Sequence, residues 1–191
     1  LGVAHAYSNK GKHIITSQIE HHAVLNACKE LEKEGFEVTY LPVDQHGLVS
    51  LPDLLDAIRK DTILISIMAV NNEVGTIQNI KTIAKIAHDY DIIFHTDAVQ
   101  AIGQIKIDVQ DMEIDLMSIS AHKIHGPKGV GALYVKSGIR FDPITFGGNQ
   151  ERGKRSGTEN VPGIAGLGKA VEIATKNYLI TNKKLKNIRD Y

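Results

Sequence analysis

Two apolar periods alternate along this chain. HIITS (13–17) is a short β-prone run. In HHAVLNACKELEKEG (21–35), Val24, Ala27, Cys28 and Leu31 recur at i, i+3, i+4 and i+7, which predicts an amphipathic helix stopped at Gly35. FEVTYLPV (36–43) reads as a strand. Ser50 opens a helix through about Arg59, with Pro52 in its first turn. TILISIMAV (62–70) is continuously apolar, as a strand covered on both faces should be. Residues 79–90 carry Ile80, Ile83, Ala84 and Ala87 on one helical face, and DIIFHTDA (91–98) returns to a strand. DLMSIS (115–120) and VGALYV (130–135) are further strands on either side of a Gly/Pro turn. GGNQERGKRSGTEN (147–160) is polar and glycine-rich, hence a loop, and VPGIAGLGKAVEIATKNY (161–178) is a last helix.

Strands alternating with helices of this length predict an α/β domain with a mostly parallel sheet flanked by helices. No internal repeat or low-complexity segment interrupts it. In such sheets ligands bind beyond the carboxyl ends of the strands. The polar clusters fall there: Asn71, Asn72 and Glu73 end one strand, Asp97 and Gln100 the next, and Ser120, His122 and Lys123 a third.

Composition narrows the reading. The 191 residues are 42% hydrophobic and 23% charged, enough for one domain with a sizeable core. Lys plus Arg and Asp plus Glu number 22 each, so no net charge favours nucleic acid or an anionic membrane. No apolar stretch reaches membrane-span length, and no signal-peptide pattern opens the chain. The lone Cys28 cannot form an internal disulfide, which favours a reducing, cytoplasmic setting; on its helix stripe it reads as a small core residue. LGVAHAYSNKGK at the start reads as the last turns of a helix closed by Gly11, and NKKLKNIRDY at the end is helix-compatible with no stop. Together they lead us to expect a piece of a longer chain.

Each polar cluster has a chemical and a structural reading. Lys123 follows a packed strand directly; partial desolvation there would lower its pKa and free an amine for imine formation, whereas an ordinary surface lysine would snorkel to water. Asp97, at the end of IIFHTDA, needs a cation or donor to stay charged at that depth. The protonated ring nitrogen of a pyridoxal cofactor would suit, as would a helix N-cap or an ion pair. Ser120 and His122 can hydrogen-bond a phosphate. Thr158 in RSGTEN is another candidate donor, with Arg152 and Arg155 adding positive charge, although a solvated loop is the default there. His21 could stack on an aromatic cofactor or be an ordinary surface histidine. The nine histidines show no zinc spacing, so no metal site is expected.

IEHHAVLNAC, SIMAVNNEVGTIQ, HTDAVQAIGQIKIDV, SISAHKIHGPKGVGALYV and GGNQERGKRSGTENV, in this order and spacing, resemble the cysteine desulfurases. These are pyridoxal 5'-phosphate enzymes of the class V aminotransferase family, here of the iron–sulfur-cluster and nitrogen-fixation type. The resemblance covers nearly the whole chain and is weakest at 136–146 and after about 175. It implies the large domain of the type I aminotransferase fold over 1–175, with 176–191 beginning a helix that leads onward.

By matched position, the resemblance implies that Lys123 holds the cofactor covalently and Asp97 pairs with its ring nitrogen. Gln100 would bond the ring's phenolic oxygen, and His21 would stack on the ring and move protons. Asn72 would lie near the cofactor oxygen and the substrate carboxylate, Ser120 and His122 would bind the phosphate, and Thr158 would reach a neighbouring subunit's phosphate, implying a homodimer. The implied reaction converts L-cysteine to L-alanine. Sulfur leaves as a persulfide on a mobile cysteine for iron–sulfur scaffold proteins or other sulfur acceptors, including those of tRNA thiolation. The family's Gly/Ala-Thr phosphate loop would lie upstream of Leu1, and its substrate-binding arginine and sulfur-accepting cysteine beyond Tyr191. These 191 residues alone are therefore expected to bind cofactor weakly and not to turn over cysteine. A selenocysteine lyase or other class V enzyme, and a non-catalytic α/β scaffold module, are the alternative readings.

Overall fold

The computed structural model describes residues 1–191, and six strands form one sheet: β1 (His13–Ser17), β2 (Glu37–Leu41), β3 (Thr62–Ser66), β4 (Ile93–Asp97), β5 (Leu116–Ser120) and β6 (Gly131–Val135). Their order is β2-β1-β3-β4-β5-β6, parallel throughout except for antiparallel β6. Five helices connect or flank them: α1 (Gly2–Tyr7), α2 (His22–Lys33), α3 (Leu51–Ala57), α4 (Ile80–Asp89) and α5 (Val161–Arg189).

The sheet is buried on both faces because consecutive apolar residues point oppositely. Ile14 packs with Ala4, Leu31 and Phe36 on the α1/α2 face. Ile15 joins Ile65, Phe94, Leu54 and Ile83 in the larger cluster on the α3/α4 face. The β3-to-β4 connection therefore lies on the face opposite the β1-to-β2 connection, and the strand order reverses between β1 and β3. A crevice must open at that reversal, at the carboxyl edge.

Local chemistry sets the helix starts as expected. Ser50 accepts from Asp53 N–H at the head of α3, with Pro52 in its first turn. His21 Nδ1 accepts from Ala23 N–H, so His21 caps α2 rather than lying inside it. Several boundaries differ from the sequence reading, α3 among them, which stops at Ala57. Regular pairing in β3 ends at Ser66, but Ile67 and Ala69 still donate to the carbonyls of His95 and Asp97, so the apolar run continues as extended backbone. Gln150–Gly153 makes a short 3-10 turn inside the expected loop. α5 continues past residue 178, because nothing in its sequence after Pro162 breaks a helix.

Candidate functional site

Asp97 ends β4 and Ser120 ends β5, adjacent parallel strands in which Asp97 is in register with Ser118. Beyond Ser120 the chain makes a 3-10 turn, Ala121–Ile124, that carries His122 and Lys123 and closes at His125 in the left-handed conformation (φ 63°). Ala121 and Ile124 are buried beneath α5 against Leu167 and Ala170, which turns His122 and Lys123 outward. Gly126 permits this seating, since a Cβ there would lie 2.9 Å from both the Cβ and the carbonyl oxygen of Ala121. Lys123 is thus exposed on the outer face of the 3-10 turn.

Asp97 is 8% exposed, and its Oδ1 accepts from Val99 N–H at 2.9 Å. One carboxylate oxygen therefore serves a local turn, with no helix following for it to cap, and no lysine or arginine of the chain pairs with the other. Gln100 follows in the same turn, half-buried. Ser120 Oγ and His122 Nδ1 lie 2.7 Å apart, so the two expected phosphate donors form one hydrogen-bonded pair. Asn72 is half-buried and donates to Glu73 at 2.8 Å. His21 is exposed across the crevice at the head of α2.

The candidates of the 147–160 loop form no hydrogen bond with this group. Thr158 is exposed in the loop before α5 and bonds to none of the others. Arg155 reaches back to the Gly157 carbonyl at 3.4 Å. That loop is strained: Glu151 (φ 48°), Arg152 (φ 57°) and Gly153 (φ 76°) are consecutive left-handed residues. An apolar cleft of about 350 Å³ lies on the α1/α2 face, bounded by Cys28, Leu31, Leu64, His95 and Phe141, and contains none of the strand-end candidates. Cys28 lies in its wall, with burial pushing its thiol up to about 11, as a structural cysteine requires.

Sequence reasoning passed over Glu20 and gave Asn71 no structural role. Glu20 lies in the short connection between β1 and α2, yet it is 4% exposed. Asn71 is buried, donating to the Ile19 carbonyl at 2.8 Å and accepting from Glu73 and Val74 N–H at 2.9 Å each. Only a third dimension reveals either, since both bridge segments about 50 residues apart.

An open doubly wound α/β domain takes its ligands at the carboxyl edge, where this one carries a lysine, a buried carboxylate and a hydroxyl–imidazole pair. Residues 1–190 match the family model described as aminotransferase class-V, and the chain belongs to that family. It is 61% identical over 189 residues to cysteine desulfurase IscS of Methanosarcina thermophila, covering 99% of this chain and 47% of that protein. The IscS cysteine desulfurase of Dictyoglomus turgidum is 59% identical over 190 residues, covering 48% of that protein. Among solved structures, a NifS-like protein superposes with a TM-score of 0.96 at 46% identity, over 99% of this chain and 52% of that one. A structure described as SspA in complex with cysteine gives 0.86 at 50% identity, over 90% of this chain and 50% of that one. The chain spans about half the length of the curated relatives it matches.

Proposed function

We propose that these residues form the cofactor-binding part of a pyridoxal-phosphate-dependent cysteine desulfurase. In that reading L-cysteine is converted to L-alanine, and sulfur passes to iron–sulfur scaffold proteins or other acceptors in the cytoplasm. The observation that carries it is the meeting of Asp97 and the Ser120–Lys123 turn on adjacent strand ends, within a chain 61% identical to a named desulfurase.

The donor set fits the cofactor. Asp97 is buried with no cationic partner, and a protonated pyridine nitrogen would supply one. The Ser120–His122 pair offers an oxyanion both a hydroxyl and a ring nitrogen. Pyridoxal phosphate, when bound, supplies the electron sink that makes bonds at an amino acid's Cα and Cβ labile. Lys123 provides an unpaired amine to hold the aldehyde carbon and afterwards to move a proton at Cα. His21, at the head of α2, would cover the ring face and exchange protons there. Gln100 and Asn72 would orient the ring oxygen and the substrate carboxylate. Thr158, exposed and unengaged, suits a contact with a second subunit's phosphate, and hence a homodimer.

The test is reconstitution of the protein carrying these residues with pyridoxal phosphate. A visible absorbance band and alanine formation from cysteine are expected, both lost in Lys123→Ala. No band, or a band and alanine yield unchanged in Lys123→Ala, would overturn the reading.

A further inference from the structure

The proposed chemistry leaves one buried carboxyl at this edge unused, that of Glu20. It sits where the strand order reverses, between the ends of β1 and β3. Its Oε1 accepts from Ser17 Oγ at 2.7 Å and from Met68 N–H at 2.8 Å, whereas Oε2 is buried without any partner. The residue after Met68 is Ala69, whose N–H donates to the Asp97 carbonyl at 2.9 Å. The residue after Glu20 is His21. One carboxyl thus ties the turn carrying His21 to the backbone paired with Asp97, each through the residue that immediately follows. Asn71 adds a parallel tie through its bond to the Ile19 carbonyl, from the segment that continues into Asn72.

We propose that Glu20 is a positioning residue that fixes His21 relative to Asp97 across the crevice, so that a flat ligand ring meets His21 on its face and Asp97 at its edge. The inference rests on the functional reading above. Placing a full carboxyl in this crevice is otherwise costly, since its second oxygen gains no hydrogen bond.

The groups facing Glu20 are Ser17 from β1, the Met68 amide from the extension of β3, Asp97 from β4 and Cys28 from α2. Burial raises its pKa to about 7, opposed by the Met68 and Ser17 hydrogen bonds and assisted by the charge of Asp97. With Oε1 occupied by two donors, the proton of the neutral acid resides on Oε2. An opened turn would return the carboxyl to its ordinary, lower value. The closed turn is therefore fully favoured below that value and loses its advantage as pH climbs to about 7, roughly ten-fold in the opening constant per pH unit.

The test compares the unsubstituted protein with Glu20→Gln and Glu20→Ala, using pyridoxal phosphate as probe. Glu20→Gln retains an acceptor for Met68 N–H, so its Kd for pyridoxal phosphate should stay within two-fold of the unsubstituted value at pH 6. Glu20→Ala should bind at least ten-fold more weakly, with reduced circular dichroism in the bound cofactor's visible band. In the cofactor-free protein, protection of the Met68 amide, corrected for intrinsic exchange, should fall about ten-fold per unit from pH 5 to 7, and stay flat in Glu20→Gln. Unchanged affinity in Glu20→Ala, or an unaltered pH profile in Glu20→Gln, overturns the proposal. If Glu20→Ala does not fold, the Glu20→Gln comparison decides. Should the unsubstituted protein take up no pyridoxal phosphate, the functional reading falls and amide exchange alone judges the tie.

Discussion

His95 shows how a single side chain sets a pH limit on this fold. Its Nδ1 lies 2.8 Å from Ser66 Oγ and its Nε2 3.0 Å from Ser118 Oγ, bridging β3, β4 and β5. Two hydroxyls satisfy a neutral imidazole, whichever nitrogen carries the proton. Burial pushes its pKa down to about 4. Because the folded value lies below the unfolded one near 6.5, protonation favours the unfolded chain. Its contribution is fully present above about pH 6.5 and is lost progressively as pH falls toward 4, about 2 kcal/mol by pH 5. His13 titrates in the same direction, burial being the main cause. Urea unfolding at pH 7 and pH 5 should therefore show a fall in stability that His95→Gln reduces by about 2 kcal/mol. Parallel pH profiles in the two proteins would refute this. The same contrast explains what the sequence reveals of residues: Asp97 and Lys123 announce themselves at strand ends, whereas nothing along the chain distinguishes the bridging His95 from a solvated histidine.

At the scale of elements, α5 positions the Lys123 turn through its small residues. A Cβ at Gly166 would lie 2.5 Å from Pro127 Cγ, while one at Gly168, two residues on, would meet nothing within 4 Å. The two substitutions should differ in sign. Gly168→Ala removes backbone entropy from a helix interior and should stabilise by about 0.5–1 kcal/mol. Gly166→Ala gains the same propensity but overpacks the Pro127 ring, for a net loss of about 1–2 kcal/mol. Thermal unfolding of both variants checks the pair, and equal shifts would contradict the packing described. Element identity was legible in the sequence because α2 and α4 keep the 3.6 period, β3 lies in a continuous apolar run, and β1 and β4 are short β-prone runs. The seating of α5 on the 121–127 turn was not legible, since it depends on which glycine faces a proline far away in sequence. Nor was the reversed direction of β6, which follows from a turn too short for a crossover.

Across the whole molecule, polar residues divide between the two edges of the sheet. The carboxyl edge gathers His21, Asp97, Ser120 and Lys123, while the amino edge is tied by groups suited only to holding strands together. There His13 joins Thr62 Oγ1 at 2.7 Å to Thr39 Oγ1 at 2.8 Å, and Arg59 pairs with both Glu37 and Asp61. Asp115, 3% exposed just before β5, is the hub of that edge. Its Oδ2 accepts from Phe94 N–H at 3.0 Å and lies 2.8 Å from His88 Nε2 of α4, and its Oδ1 lies 3.2 Å from Lys136 Nζ beyond β6. Truncating Asp115 would leave the Phe94 N–H buried and unpaired, the dominant loss at about 1–3 kcal/mol. His88 and Lys136 are themselves part-exposed, so water would replace most of what they lose. Asp115→Ala should therefore lower stability by about 2 kcal/mol, or roughly 4–8 °C in Tm for a chain of this size. Asp115→Asn, which keeps an acceptor for Phe94, should cost less. Affinity for pyridoxal phosphate, measured where each variant is fully folded, should stay within two-fold, because the hub lies a full strand length from the carboxyl edge. A large loss of affinity with little change in Tm would mean that the two edges are coupled through the sheet rather than divided in labour.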